Sequence, residues 1–420
     1  MRRPSIKHLP EPWFSAVRQA AQKLHARGFR AWIVGGAVRD LALDRKPKDA
    51  DLASAATPQI VEDIFEHTIT VGKAFGTVRV HLGGIELEVT TFRSDGAYDD
   101  GRHPDGVAFS ESIEEDARRR DFTANALFLD PLEDELCDPT GGLADIEAGR
   151  LRCVGEPRER FGEDGLRILR LARFAARYGW EVEPDTLAGA SESLDALRGV
   201  SAERVLQELE SIGGGEGPQL AVEILWRAGA LARLFPALAD VLPDVHASLV
   251  RACEEALLDP SLFLALLFAP LHAKDARLGL DVLEGLRASR ARTKEVLGTW
   301  DIATRIGECL ARDSMARSQR IRLVRDPAFG RALRLRRATT EASSHAALDE
   351  LVAFERSLSQ QDKFPQAWLC GDDLGDAGVA PGPDYGRILE EADDLRLEGR
   401  HPDRQTALDW LLERLGKQAP

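Results

Sequence analysis

The stretch from Ala31 to Leu52 constrains this chain more than any other. It begins apolar, Ala31-Trp32-Ile33-Val34, and breaks on Gly35-Gly36. Helix-compatible residues follow, and the stretch ends on Asp49-Ala50-Asp51-Leu52. The pattern reads as a strand, a tight turn, a helix start and a second strand carrying acid. A glycine pair after a strand lets the backbone approach an anion, and the helix start points unsatisfied N–H groups at it. Arg39, one turn into that helix, adds a fork of donors. Residues i and i+2 of a strand share a face, so Asp49 and Asp51 stand side by side. Paired carboxylates repel; magnesium relieves the repulsion and takes its other oxygens from phosphates. The segment therefore reads as a site for a nucleoside triphosphate and magnesium. Taken singly, Gly-Gly also suits a plain turn and Asp-x-Asp a surface loop.

Up to Asp145 helix and strand alternate. The periodicity predicts a helix over Glu11–Arg27, a strand over Arg30–Val34, a helix over Ala37–Leu43, a strand over Asp49–Ala53 and a helix over Thr57–Phe65. Phe75–Leu82 and Ile85–Phe92 read as strands meeting at Gly83-Gly84, a two-residue hairpin signal. Glu88, on the second of these, would supply a third carboxylate for two-metal phosphoryl transfer. Arg93–Asp116 is a polar loop rich in Gly and Asp, and Asn125–Asp130 resumes as a strand. After Gly155 helical spacing takes over: Arg160–Tyr178, Ala202–Ile212, Gln219–Ala228, Leu249–Leu258, Leu262–Phe268, then Tyr385–Leu397 and Asp403–Leu415 in the tail.

Composition narrows the partners. A net charge of −15 over 420 residues excludes a chain that coats nucleic acid over its whole surface, but leaves room for a local basic groove. Nine arginines lie between Arg312 and Arg337, against Asp313 and Asp326. They suit either a solvated helical face or a nucleic-acid-binding one. No apolar run approaches the ~20 residues of a membrane span, and Met1–Phe14 lacks the apolar core of a signal peptide. Five scattered cysteines without metal spacing fit a reduced, cytoplasmic protein.

Several motifs now fall into one order. Gly35-Gly36-Ala37-Val38-Arg39-Asp40 with Asp49-Ala50-Asp51 resembles the first motif of the class II tRNA nucleotidyltransferases (CCA-adding enzymes) and bacterial poly(A) polymerases. Arg119-Arg120-Asp121-Phe122-Thr123-Ala124-Asn125-Ala126 resembles the family's ribose-binding motif, and Asp138-Pro139-Thr140-Gly141-Gly142-Leu143-Ala144-Asp145 its hinge. Arg160 to Phe174 resembles its base-selecting helix, and Ser201-Ala202-Glu203-Arg204-Val205 its last motif.

The resemblance implies an α+β fold, a polymerase-β-like nucleotidyltransferase head followed by an all-helical neck, body and tail. The boundaries expected are 1–150 for the head, 151–215 for the neck, 216–340 for the body and 341–420 for the tail. It makes Gly35, Gly36, Arg39, Arg120, Asp164, Arg167, Arg170 and Arg173 contacts to the nucleotide. Asp49 and Asp51 become magnesium ligands, with Glu88 as a third catalytic carboxylate. Asp121 and Asn125 would hold the ribose or order the site.

The base-selecting segment also has a reading of its own. Asp164, Arg167 and Arg170 recur every third residue and would share a helix face. A carboxylate accepts from an exocyclic amino group, and an arginine donates to the ring nitrogen beside it. Cytosine and adenine both present that pair; uracil and guanine present the reverse. An Asp/Arg pair can therefore take C and A and refuse U and G, since each unpaired buried polar group costs about 1–3 kcal/mol. A helix-surface ion pair is the plainer alternative.

Three features bear on the branch. Gly72-Lys73-Ala74-Phe75-Gly76-Thr77-Val78 resembles the tRNA enzymes, because Ala74 interrupts the two basic residues of the poly(A) branch. The loop Arg93–Asp116 is full length, with Gly96, Gly101 and Gly106 suited to movement. Gly371-Asp372-Asp373-Leu374 through Pro381-Gly382-Pro383 resembles the tail of many bacterial CCA-adding enzymes. The expected activity is template-independent addition of C and A to the tRNA 3′ end from CTP and ATP. The tRNA would lie along body and tail, held mainly by phosphate contacts, with neither a membrane nor a stable protein partner. The alternatives are an A-adding tRNA enzyme, a poly(A) polymerase, or a catalytically silent RNA-binding protein.

Overall fold

A computed structural model of the chain describes residues 3–70, 76–95, 107–255, 257–311, 315–364 and 366–416. The motif residues Gly72 to Phe75, the loop glycines Gly96, Gly101 and Gly106, and Arg312 with Asp313 lie outside the described residues. The chain divides into two units, Met1–His246 with Glu284–Arg287, and Ala247–Leu283 with Ala288–Pro420.

The first unit is built on a mixed sheet. Its strands are β1 (Ala31–Val34), β2 (Leu52–Ser54), β3 (Thr68–Thr70), β4 (Thr77–Leu82), β5 (Ile85–Thr91), β8 (Phe128–Leu129) and β9 (Leu136–Cys137), in the order β3-β4-β5-β2-β1-β8-β9. A separate pair, β6 (Arg93–Asp95) and β7 (Val107–Phe109), lies between β5 and β8 in the chain. Helices α1 (Trp13–His25), α2 (Gly36–Ala42), α3 (Pro58–Ile64), α4 (Ile113–Arg118) and α5 (Gly142–Glu147) accompany the strands. Next come α6 (Pro157–Glu163), α7 (Leu166–Tyr178), α8 (Pro184–Glu192) and α9 (Ala202–Gly213). Helix α1 buries Val17, Ala20, Ala21 and Leu24, as its spacing requires. The expected hairpin forms: Leu82 pairs with Ile85, and Gly83 and Gly84 take φ of +57° and +80°. A two-residue turn with both centres left-handed matches strand twist and is open to glycine at low cost.

Three expected elements are corrected. The second strand starts at Leu52, not Asp49, because β1 has already turned at Gly35 and offers Asp49 no ladder partner. The Asp51 carbonyl still accepts from Val34 N at 3.1 Å. Asn125–Asp130 is not one strand: Asn125 N and Ala126 N close a tight turn on Phe122 and Thr123, and β8 begins only at Phe128. Arg160–Tyr178 is two helices, not one. Asp164 is extended at φ −149°, and Gly165 lies so close to Ala196 that a Cβ there would stand 2.5 Å from its backbone. Asp164, Arg167 and Arg170 therefore do not share one helix face. Asp164 instead caps the second helix, its Oδ1 accepting from Leu166 N at 3.0 Å.

The hinge motif is a packed joint. Asp138 caps α5 by accepting from Gly142 N at 2.8 Å and Leu143 N at 2.9 Å. Buried Asp145 accepts from Thr123 Oγ1, Arg150 Nε and Arg152 Nε. A Cβ at Gly142 would stand 2.0 Å from the Thr123 carbonyl oxygen. Gly142→Ala is therefore expected to cost about 2–4 kcal/mol and lower the thermal midpoint by roughly 5–10 °C. A shift within about 1 °C in a melting curve would contradict this packing.

The second unit is helical. Pro260–Lys274 is apolar on every side and buries Leu262 through Phe268. Asp259 caps it, and Trp300 Nε1 donates to the Ala265 carbonyl at 2.9 Å. The tail helices Gly371–Asp376, Pro383–Leu397 and Arg404–Arg414 close on a small core of Leu374, Ile388 and Leu411. Much of the arginine-rich segment is engaged inside this unit. Arg322 pairs with Asp393 and Asp394, Arg337 with Glu255 and Asp349, and Arg320 stacks on Phe354. Among the described residues no helix is long and apolar enough to cross a membrane, and all five cysteines are free.

Candidate active site

A cavity of about 440 Å³ opens in the first unit between the β1–α2 turn, the Arg119–Asn125 segment and helices α7 and α9. Gly35, Gly36, Arg39, Asp49, Arg120, Asp121, Asn125, Asp164, Arg167, Arg170 and Arg173 all line it. These are the residues expected from the sequence except Asp51 and Glu88. Gly35 adopts φ +65° and ψ −124°, a conformation reserved for glycine, and the turn delivers Gly36 to the cavity wall.

The acidic corner adjoins the cavity through Asp49. Ala50 is buried between the two aspartates, so they keep the alternation of a strand although they precede one. The parallel pairing of Leu52 with Val89 sets Asp51 level with Glu88 on the neighbouring strand. Burial pushes the Asp51 carboxyl up to about 6; the charges of Asp49 and Glu88 push the same way, and Arg120 opposes them. Glu88 itself accepts from Arg79 Nε at 3.0 Å, which turns it toward its hairpin partner. Among the described residues no three His, Cys, Asp or Glu side chains converge as a metal cage. Two clustered carboxylates, one held proton-rich chiefly by burial and further by its acidic neighbours, nevertheless fit a divalent cation that completes its shell with substrate oxygens.

The basic wall is pre-formed by acids at its back. Fully buried Asp116 accepts from Arg120 Nη2 at 2.8 Å and Arg119 Nε at 2.7 Å. Asp121 accepts from Phe122 N, Asn125 Nδ2 and, through Oδ2, from Arg170 Nε and Nη2. Burial opposes its ionisation, but the Arg170 charge and these donors outweigh that and hold the carboxyl down at about 2. Arg173 is fixed by Glu208 at 2.6 Å, and Arg167 by Glu163, the Arg160 carbonyl and the Arg119 carbonyl. Phe122 and Phe174 are buried core residues, packed edge-to-face at 5.9 Å. The Phe174 ring also carries Arg39, Arg170 and Arg173.

Asp164 faces the same cavity from the break between α6 and α7. Arg204 on α9 holds it with Nη1 at 3.3 Å to Oδ1 and Nη2 at 2.8 Å to Oδ2. A carboxylate has about four acceptor positions. Leu166 N and Arg204 fill three of them, which leaves one on Oδ2. Asp116, Glu163 and Glu208 are functional supports that sequence reasoning did not single out, and Arg204 entered it only within the family's last motif. Glu163 four residues before Arg167, and Asp116 three and four before Arg119 and Arg120, were visible as helical charge pairs.

This is the layout expected of a nucleotidyl-transferring head: paired carboxylates beside an arginine-walled, triphosphate-sized cavity. The poly A polymerase head domain family matches residues 31–152, and the family described as "Probable RNA and SrmB- binding site of polymerase A" matches 179–242. A CCA-adding enzyme of Levilactobacillus brevis is 32% identical over 96% of this chain and 98% of its own length. One of Streptococcus gordonii is 34% identical over 96% and 98%. The Bacillus stearothermophilus CCA-adding enzyme in complex with CTP superposes with a TM-score of 0.75 at 28% identity, covering 97% of this chain and 98% of that one. The Thermotoga maritima enzyme complexed with tRNA shares the fold at a TM-score of 0.72 and 21% identity. The chain belongs to the CCA-adding enzyme family of nucleotidyltransferases.

Proposed function

We propose that this protein adds C and A to the 3′ end of tRNA from CTP and ATP without a nucleic-acid template. The observation that carries the reading is the single cavity that Asp49, Arg39, Arg120, Asp164 and Arg167 line together. The Gly35-Gly36 turn admits the triphosphate to the backbone, and Arg39, Arg120, Arg170 and Arg173 balance its charge. Asp164 accepts from the exocyclic amino group of C or A at its remaining Oδ2 position, and Arg167 donates to the ring nitrogen. A carbonyl in place of that amino group sets acceptor against acceptor, which disfavours U and G. Asp49 and Asp51 are the magnesium ligands in this reading, and Glu88 adds negative charge beside them. Magnesium, when bound, supplies activation of the attacking hydroxyl and neutralisation of the leaving pyrophosphate. The family's division into head, neck, body and tail at about residues 150, 215 and 340, and a cytoplasmic setting, belong to the same proposal.

The test is incorporation from each labelled nucleoside triphosphate, supplied singly, into tRNA ending at the discriminator base, at C, or at CC. The expected outcome is C on the first two ends and one A on the third. A added only to CC would indicate an A-adding enzyme. Repeated A would indicate a poly(A) polymerase, and no incorporation a silent RNA-binding protein.

A further inference from the structure

A hydrogen-bonded relay runs behind the cavity and returns to the helix it starts from. At one end Tyr178 Oη donates to Asp40 Oδ1 at 3.0 Å. The same oxygen accepts from Arg39 Nε at 3.2 Å and Nη2 at 3.0 Å. Arg39 Nη1 donates to Asn125 Oδ1, Asn125 Nδ2 donates to Asp121 Oδ1 at 2.9 Å, and Asp121 Oδ2 accepts from Arg170. Arg170 and Tyr178 both lie on α7, eight positions apart, with Phe174 midway, so all three share one face. Asp40, Arg39, Asn125 and Asp121 are each more than nine-tenths buried.

Arg39 and Arg170 both line the cavity assigned to the triphosphate, and Arg39 is the one of the two that Tyr178 reaches through Asp40. Its guanidinium lies 5.2 Å from the Phe174 ring centre and 4.8 Å from that of Tyr178. The two rings are nearly parallel, at 13°. One tyrosine therefore acts twice on Arg39, through its ring and through the carboxylate that takes two guanidinium N–H groups. Burial pushes the Tyr178 hydroxyl up to about 12, so it remains a donor at neutral pH. Nothing in the family motifs quoted above includes Tyr178.

We infer that Tyr178 is a positioning residue that sets Arg39 for the phosphates of either nucleotide, independently of the base. The inference rests on the reading of the cavity as a CTP and ATP site. Because Tyr178 acts on the triphosphate end, its loss should weaken both nucleotides by one factor. A fault in the base-selecting end would instead change their ratio.

The experiment measures equilibrium binding of CTP and of ATP to the full-length wild type, Tyr178→Phe, Arg39→Lys and the double variant. Tyr178→Phe keeps the ring and removes one bond to a charged group, so both dissociation constants should rise about five- to tenfold. The melting midpoint should stay within about 2 °C, and in the Arg39→Lys background the further effect should largely vanish. Unchanged affinity for both nucleotides, a change for one only, or an undiminished effect in the Arg39→Lys background would overturn the proposal. Wild-type incorporation into tRNA, assayed in parallel, judges the function separately. Incorporation with unchanged Tyr178→Phe affinities would sink only the role of Tyr178, whereas failure of the wild type to bind either nucleotide would sink both.

Discussion

Asp51→Ala is expected to lower transfer of both C and A about a thousandfold or more, while tRNA binding stays within about twofold of wild type. The two effects should separate because Asp51 sits in the sheet corner of the first unit, where its charged neighbours are Asp49, Glu88 and Arg120. The readouts are single-turnover incorporation and a filter-binding assay. Asp51→Asn adds a second signature. Its carboxyl is raised in the metal-free protein to about 6, whereas the unfolded chain ionises near 3.8. The folded state thus holds the extra proton between those values, and stability falls as pH rises through that window. Above it the charged carboxylate costs up to roughly 3 kcal/mol. Asn removes the charge at similar size. In chelator-treated protein Asp51→Asn should therefore melt higher than wild type at about pH 8, with the gain fading toward about pH 4. A gain equal at both pH values would mean that burial and its acidic neighbours do not raise the Asp51 carboxyl.

Asp164→Ala carries the second large effect. Removing the carboxylate deletes the acceptor proposed for the exocyclic amino group, and with it the cap on Leu166 N and the partner of Arg204. The kcat/KM for CTP and for ATP should each fall by about 100-fold, the upper end of what one buried hydrogen-bond partner contributes. Use of UTP and GTP should change little, so discrimination collapses. Arg204→Ala leaves the carboxylate in place but unaimed, and a milder loss of about tenfold is expected, with the preference for C and A partly kept. Equal losses for all four nucleotides in Asp164→Ala would assign the residue to helix capping and not to base choice.

The head was largely legible in the sequence because its signals are local. A strand that stops at two glycines, a Gly-Gly hairpin and the spacing of Asp49 and Asp51 each state their own geometry. What the sequence could not state came from contacts remote in the chain. The helix breaks at Asp164, whose backbone is extended beside the close approach of Ala196 to Gly165, and Asp164 leaves the face of Arg167 and Arg170. Arg204, forty residues away, then becomes its partner. The same holds for Tyr178 and Asp40, joined only once α7 lies over α2. The arginines after residue 316 read as a cluster in sequence, yet Arg322 and Arg337 face acids from later and earlier helices.

The claim on which the rest depends is that Asp49 and Asp51 jointly hold a divalent cation with the triphosphate. Manganese binding in the presence of CTP, followed by the loss of the free-ion spin resonance signal, tests it most directly. Wild type should take up manganese at neutral pH, with an affinity that weakens progressively as pH falls below about 6, and Asp51→Ala should take up little at any pH. Equal uptake by wild type and Asp51→Ala across that range would contradict the account.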